Sequence, residues 1–358
     1  PLVYLVPTPA GSLALIVTPD TIHDLWLDAI NETQLIDLLN QTWFAAYRQS
    51  QNNRQGWYDA IDSATRQLWE PLMAPLMAHL QQHQIQQATL IPTGYLSLLP
   101  LHAAWTEDPN TPTQRRYALD DICIAYAPNA QSLTAAQAIS DRVQADSILA
   151  IDNPRNDLPN SEREVQAAVS TFPHPTVLRH HQATVDQVRS QLPAANIAHF
   201  SCHGTANLND PLASGLLMSD GLLTLKDIFA LNLADHAQGN HGLRLAILSA
   251  CETGMIGTEN ADEAISLPTG LLQAGVAAVI ASLWAVDDRS TMLLLSKFYD
   301  LWRKGNLPPD QSLRQAQIWL RDSTAKEIAA YGGFFTPTPD DRPYAHPFHW
   351  AAFSYTGI

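Results

Sequence analysis

The sequence predicts an α/β fold built on a mainly parallel sheet flanked by helices. Three observations predict it. From about residue 148 onward, short apolar runs of strand length alternate with helical periodicities, the pattern of βαβ units. Those runs (Ile148 to Ile151, Ile197 to Ser201, Leu243 to Ser249, Val276 to Leu283) are apolar almost throughout rather than alternating, as in strands covered on both faces. The chain of 358 residues is also long enough to fill one large core or two smaller ones.

Taken in order, Val3 to Val6 and Leu13 to Val17 read as strands around a turn at Pro9-Ala10-Gly11. Residues 21–51 and 57–84 are amphipathic, with Leu35, Leu38, Leu39 and Trp43 at helical spacing. Ala88 to Ile91 is a strand ended by Pro92 and Gly94, Leu96 to Trp105 a second apolar piece, and Glu107 to Arg116 a loop rich in turn formers. A strand over Ile122 to Tyr126 and a helix near 130–143 complete the first part. In the second, Ser161 and Glu164 have capping-box spacing, and Thr184 opens another helix. A hairpin turns at Ser219-Asp220-Gly221, a helix over 264–273 closes at Gly275, and a longer one covers 290–303. Phe334 to Asp341 is irregular, and His346 to Tyr355 reads as a last strand. The expected division is a support lobe over 1–143 and a reactive lobe over 144–358.

The formal net charge of −15 argues against a nucleic-acid binder working through a basic face. Charged residues make up only 15%, against about 25% in typical domains, so neutral polar side chains must cover the surface. Cys123, Cys202 and Cys251 are too few and scattered for a disulfide framework, which fits a reducing, cytoplasmic setting. No apolar run reaches the roughly 18 residues of a membrane span. The opening Pro1-Leu2-Val3 shows no secretory pattern; the expectation is a piece cut from a longer polypeptide.

In open parallel sheets, reactive groups collect in the loops at the carboxyl ends of the strands. Two such ends carry reactive residues beside glycine: Ser201-Cys202-His203-Gly204 and Ser249-Ala250-Cys251-Glu252-Thr253-Gly254. A thiol with a free pKa of about 8.5 needs a neighbouring base to become a nucleophile, and His203 is the candidate base for Cys251. They lie 48 residues apart, against about 50 between the His and Cys of caspase-type proteases. The amides of Gly204 and Cys251 are candidate oxyanion donors. Cys202 and Cys123 read as packing. His199, Cys202 and His203 lack helical placement and a second ligand cluster, so no zinc site is expected there. Gly254 to Gly257 is too short for a phosphate cradle, and no cofactor is expected. Asp287 and Asp288 precede a helix, where a carboxylate caps; they also suit an acidic pocket for a basic substrate side chain, which Asp152 would join. The acidic run Glu259 to Glu263 reads as a solvated loop or as a wall of the cleft.

Together these motifs, with Gly94-Tyr95-Leu96-Ser97-Leu98-Leu99-Pro100-Leu101-His102, Ser282-Leu283-Trp284 and His346-Pro347-Phe348-His349-Trp350, resemble the CHAT domain, the caspase-like domain of HetF associated with TPRs. The resemblance runs from about Trp69 to the C-terminus. It implies a caspase-like fold whose N-terminal part is a degenerate caspase-like lobe, in a regulatory setting like that of the cyanobacterial differentiation regulator behind the family name. The activity it implies is that of a cysteine endopeptidase of the caspase and separase clan, with His203 as base and Cys251 as nucleophile. The Trp284-Ala285-Val286-Asp287-Asp288 stretch is similar to a separase motif whose acidic residues favour arginine, a role that falls first on Asp288 and then on Asp287. Ser249 and Glu252 stand where caspases have Gln and Arg, against an aspartate preference. The partners implied are a protein or peptide substrate with a basic residue at the cut, and an activating partner or upstream helical repeats, with no nucleic acid and no membrane. The other reading is an inactive caspase-like scaffold that binds a partner peptide in the same cleft.

Overall fold

The structure, a computed structural model, describes residues 1–207, 210–234, 241–249, 266–332 and 338–358. The chain forms two compact units: Pro1–Tyr126 with Gln317–Ala351, and Ala127–Ala316 with Ala352–Ile358. This differs from a division at 143/144 for a packing reason. Residues 317–351 return to the first unit, where Trp350 meets Tyr117 edge-on at 5.0 Å and Arg321 pairs with Asp120 at 2.8 Å.

In the first unit the strands run β3-β2-β1-β4-β7, with β1 at Leu2–Thr8, β2 at Gly11–Val17, β3 at Ile22–Leu27, β4 at Gln87–Pro92 and β7 at Cys123–Tyr126. β1 to β3 are antiparallel neighbours, whereas β4 is parallel to both β1 and β7. β3 corrects the helical reading of residues from 21: its Ile22 and Trp26 are 70% and 54% exposed while Leu27 is buried, so both faces carry apolar residues and no alternation shows in the sequence. Helices follow at Glu32–Leu38, Arg54–Gln67 and Ala74–Gln82. The Glu107 to Arg116 loop is the turn of a small hairpin, β5 (Trp105–Glu107) with β6 (Arg115–Tyr117).

In the second unit the order is β16-β15-β14-β10-β8-β9, with β8 at Ser147–Asp152, β9 at His174–Arg179, β10 at Ile197–Ser201, β14 at Leu245–Ser249, β15 at Ala278–Ser282 and β16 at Phe353–Gly357. All pairs are parallel except β15 with β16. β10 and β15 are buried along their whole length, which accounts for their mainly apolar runs. The expected last strand is shorter than 346–355: a 3-10 turn occupies Pro347–His349 before β16. A separate small sheet joins β11 (Gly204–Thr205), β12 (Gly215–Leu217) and β13 (Leu222–Thr224). Gly275 follows the helix Leu267–Gln273 with φ +102, and a Cβ there would meet Ala234 at 2.7 Å. The left-handed turn expected after this helix therefore needs glycine for conformation and for space.

His102, in the first unit, is buried and lies with Nδ1 2.9 Å from the Tyr126 hydroxyl. Burial pushes its pKa down from 6.5 to about 4, so the folded chain holds it neutral. Between those two values the unfolded chain binds more protons, so its contribution is complete above pH 6.5 and is lost as pH falls towards 4. That loss amounts to about 3 kcal/mol. Urea unfolding across this pH range should show it, and His102→Gln should flatten the dependence; an unchanged slope in the variant would assign the acid sensitivity elsewhere.

Candidate active site

β8 leads outward to β9, while β10 lies on its other side and leads to β14. Such a reversal of winding opens a crevice at the carboxyl ends of β8 and β10, where an open α/β sheet can receive a ligand. Register aligns the rim: Ser201 stands opposite Asp152 on one side and Ser249 on the other. Loops leave this rim from all three strands.

The loop after β8 is held in shape by Asn153. Its backbone adopts φ 47, its amide N–H donates to the Ser201 carbonyl at 2.9 Å, and its side chain caps Asp157 N–H and the Leu158 carbonyl, each at 2.9 Å. Asparagine suits this position because it tolerates the left-handed region and its amide satisfies nearby backbone groups. The loop presents Asp157, whose Oδ1 lies 3.0 Å from Nε2 of His203. Nε2–H donated to that carboxylate leaves Nδ1 as the proton acceptor. The carbonyl of His203 accepts from Leu217 N–H at 2.8 Å, and Gly204 pairs with Leu216 in the small sheet. The His203 loop is thus braced from both sides.

His203, Ser201 and Ser249 line a cleft of about 40 Å³ together with Asp288 and the apolar Leu158, Val286 and Phe353. Asp288 receives two hydrogen bonds on Oδ2, from the backbone N–H of Asn160 at 3.0 Å and from its side-chain amide at 2.6 Å. Its Oδ1 has no hydrogen-bond partner among the described residues. Asp287 caps the helix Asp288–Tyr299, accepting from Arg289 and Ser290 N–H at 3.1 and 3.3 Å, and it is not among the cleft-lining residues. Asp152 is buried with its carboxylate engaged by Ser161 Oγ and Arg179 Nε, both at 2.6 Å. The structure therefore brings His203 and Asp288 together and leaves Asp287 and Asp152 in structural bonds. Cys251 and the run Glu259 to Glu263 lie outside the described residues. Cys202 packs in the apolar cluster with Phe200 and Leu248.

Ser161 and Glu164 do not form the expected capping box. The helix Ser161–Val169 has Asn160 as N-cap with no side-chain cap, and both residues are buried. Glu164 Oε1 lies 2.9 Å from Nε2 of His199, whose Nδ1 lies 3.0 Å from the Tyr299 hydroxyl. Burial and the Glu164 charge hold the Tyr299 pKa well above its usual value, so Tyr299 keeps its proton and donates it. This chain occupies His199 fully, in place of any zinc role. Asp157, Asn160 and Glu164 carry no spacing signal, since their partners lie 46, 128 and 35 residues away.

A six-stranded, mainly parallel sheet with a histidine at its carboxyl rim is the frame of the caspase-like cysteine proteases. Residues 62–357 match the CHAT domain family, and the chain belongs to that family. Among solved structures it is similar to Saccharomyces cerevisiae separase in its complex with securin, with a TM-score of 0.64 and 10% identity over 100% of this chain and 30% of that one. A second separase–securin structure gives 0.51 at 13% identity over 96% of this chain and 21% of that one. The Arg-specific cysteine proteinase gingipain R gives 0.53 at 9% identity over 86% of this chain and 75% of that one. The chain thus spans about a third of the separase chain. No curated protein sequence matches it. At these identities the likeness establishes a caspase-like fold.

Truncating Glu164 or His199 to alanine should cost about 3–5 kcal/mol, because a buried partner is left uncompensated. Tyr299→Phe should cost about 1 kcal/mol, and Asp287→Ala about 1 kcal/mol through the lost cap. Urea midpoints rank these variants; equal, small losses for all four would mean that the buried chain contributes nothing special.

Proposed function

We propose that this chain is a cysteine endopeptidase that cleaves a protein substrate after a basic residue, with Cys251 as nucleophile and His203 as base. The observation that carries the reading is His203 itself, fixed by Asp157 with Nδ1 left as acceptor, in a cleft shared with Ser249 and Asp288. Ser201 and Ser249 are register partners, and His203 and Cys251 each follow two residues later in the sequence. In this mechanism His203 takes the thiol proton and the thiolate attacks the scissile carbonyl. Amides of Gly204 and Cys251 hold the oxyanion. The imidazolium returns its proton to the departing amine, and water activated by His203 then hydrolyses the thioester.

Oδ1 of Asp288, without a hydrogen-bond partner among the described residues and beside Leu158, Val286 and Phe353, supports recognition of a side chain with an apolar stem and a cationic tip. The structurally similar gingipain R is named as Arg-specific, in line with this choice. The first unit acts as a supporting lobe, and a securin-like protein partner or upstream repeats would regulate access.

Peptide-library cleavage tests the reading. Cys251→Ala and His203→Ala should each abolish turnover with unchanged circular dichroism. Asp288→Ala should raise KM for Arg substrates on the order of 10²-fold, as expected when a charged pair is lost, whereas Asp287→Ala should leave KM near wild type. Asp157→Ala should lower kcat on the order of 10²-fold through misalignment of His203, with KM little changed. Full activity without Cys251 removes the protease assignment; slow alkylation of Cys251 with firm peptide binding would favour the scaffold.

A further inference from the structure

Away from the cleft, three histidines of the first unit converge. His79 and His83 sit one turn apart at the end of the helix Ala74–Gln82, and His23 reaches them from β3, 56 residues earlier in the chain. Ring centroids are 4.6 Å apart for His79 and His83, 4.7 Å for His23 and His83, and 5.5 Å for His23 and His79. One nitrogen from each ring lies within 4.8 Å of the other two. Three imidazoles so close gain little from one another as bare bases. Burial, together with the charges of His83 and His23, lowers the proton affinity of His79.

Two further observations point to a ligand. Nε2 of His79 is shielded from solvent and has no hydrogen-bond partner among the described residues, an unsatisfied polar atom of a kind that calls for an explanation. Nε2 of His23 is 2.7 Å from the Thr21 hydroxyl; donated there, its proton fixes the tautomer and turns the Nδ1 lone pair loose, as an outer-shell partner does for a metal-binding histidine. We propose that His23, His79 and His83 form a binding site for a divalent transition metal, with Zn²⁺ as the best fit. Imidazole nitrogen suits Zn²⁺, Cu²⁺ and Ni²⁺ and discriminates against Ca²⁺ and Mg²⁺, which want oxygen. A tetrahedral ion with Zn–N bonds of about 2.0–2.1 Å sets its ligand nitrogens about 3.4 Å apart, a spacing that nitrogens within 4.8 Å of one another reach by small ring movements. His83 is exposed at the helix end and free to make that movement. The group contains no carboxylate, so the fourth position falls to water. The acidic chain, at −15, favours cation uptake. Bound metal would clamp β3, the outermost strand of this unit, to the helix behind it.

The test uses the whole chain freed of metal by chelator, in a Cys251→Ala background that removes the thiol of the proposed active site. Co²⁺ is the probe, because its visible absorption reports coordination, with Zn²⁺ competition and Mg²⁺ as control. Expected are one Co²⁺ per chain, displacement by Zn²⁺ but not Mg²⁺, and a Tm raised by several degrees with saturating Zn²⁺. His83→Ala, at an exposed position, should keep the metal-free Tm and lose affinity at least 100-fold; His79→Ala should do the same to affinity. Absent Co²⁺ uptake, or uptake unchanged in both variants, overturns the site. Activity plays no part in this readout, so the metal site and the protease assignment stand or fall separately.

Discussion

The carboxyl rim of the second unit depends on a buried polar chain set on an apolar sheet. Glu164, His199 and Tyr299 are buried, and their bonds of 2.9 and 3.0 Å tie the helix Ser161–Val169 and the helix Asp288–Tyr299 to β10. Apolar packing alone specifies volume and tolerates sliding; hydrogen bonds with fixed partners specify register. Both helices begin next to the cleft, at Asn160 and Asp287. Bonds from Glu164 in the first turn of one helix and from Tyr299 at the end of the other therefore fix both helices against β10, and with them Asp288.

The same logic explains how the strand ends differ in role. Asp152, Ser201 and Ser249 stand in line across three strands, yet each has a different task. Asp152 is consumed by Arg179 and Ser161, which closes the outer end of the rim. Ser201 passes its carbonyl to Asn153, which fastens the next loop. Ser201 also lines the cleft, as does Ser249, for which it is the principal role seen. One row of short polar residues thus grades from structural to solvent-facing along the sheet.

Much of this architecture is legible in the sequence. The mainly apolar runs of β8, β10, β14 and β15 announce buried parallel strands, and the glycines and polar residues after them announce loops. β3 is not legible, because Ile-His-Asp-Leu-Trp-Leu puts apolar residues on both faces of an edge strand. Ser161 and Glu164 mislead because capping-box spacing is also the spacing of one helix face, and here that face is buried. His203 stands out from its position after a strand, but Asp157 does not: its role arises from a left-handed turn at Asn153 and a partner in a different βαβ unit. Long-range partnerships of single polar side chains leave no periodic trace.

The segment from Asn153 to Asn160 has a consequence for how specificity would be expressed. At its start Asn153 shapes the turn that aims Asp157 at His203, and at its end Asn160 holds Oδ2 of Asp288 with two bonds. Four residues, Asp157 to Asn160, therefore join the group that holds His203 to the one that holds the carboxylate proposed to meet the substrate. Bonds from Asn153 and Asn160 tie both ends of the segment. A substrate side chain that pulled on Asp288 would therefore act on the same loop that carries Asp157, the partner of the imidazole. Selectivity built this way is written into the speed of bond breaking as much as into the strength of the grip.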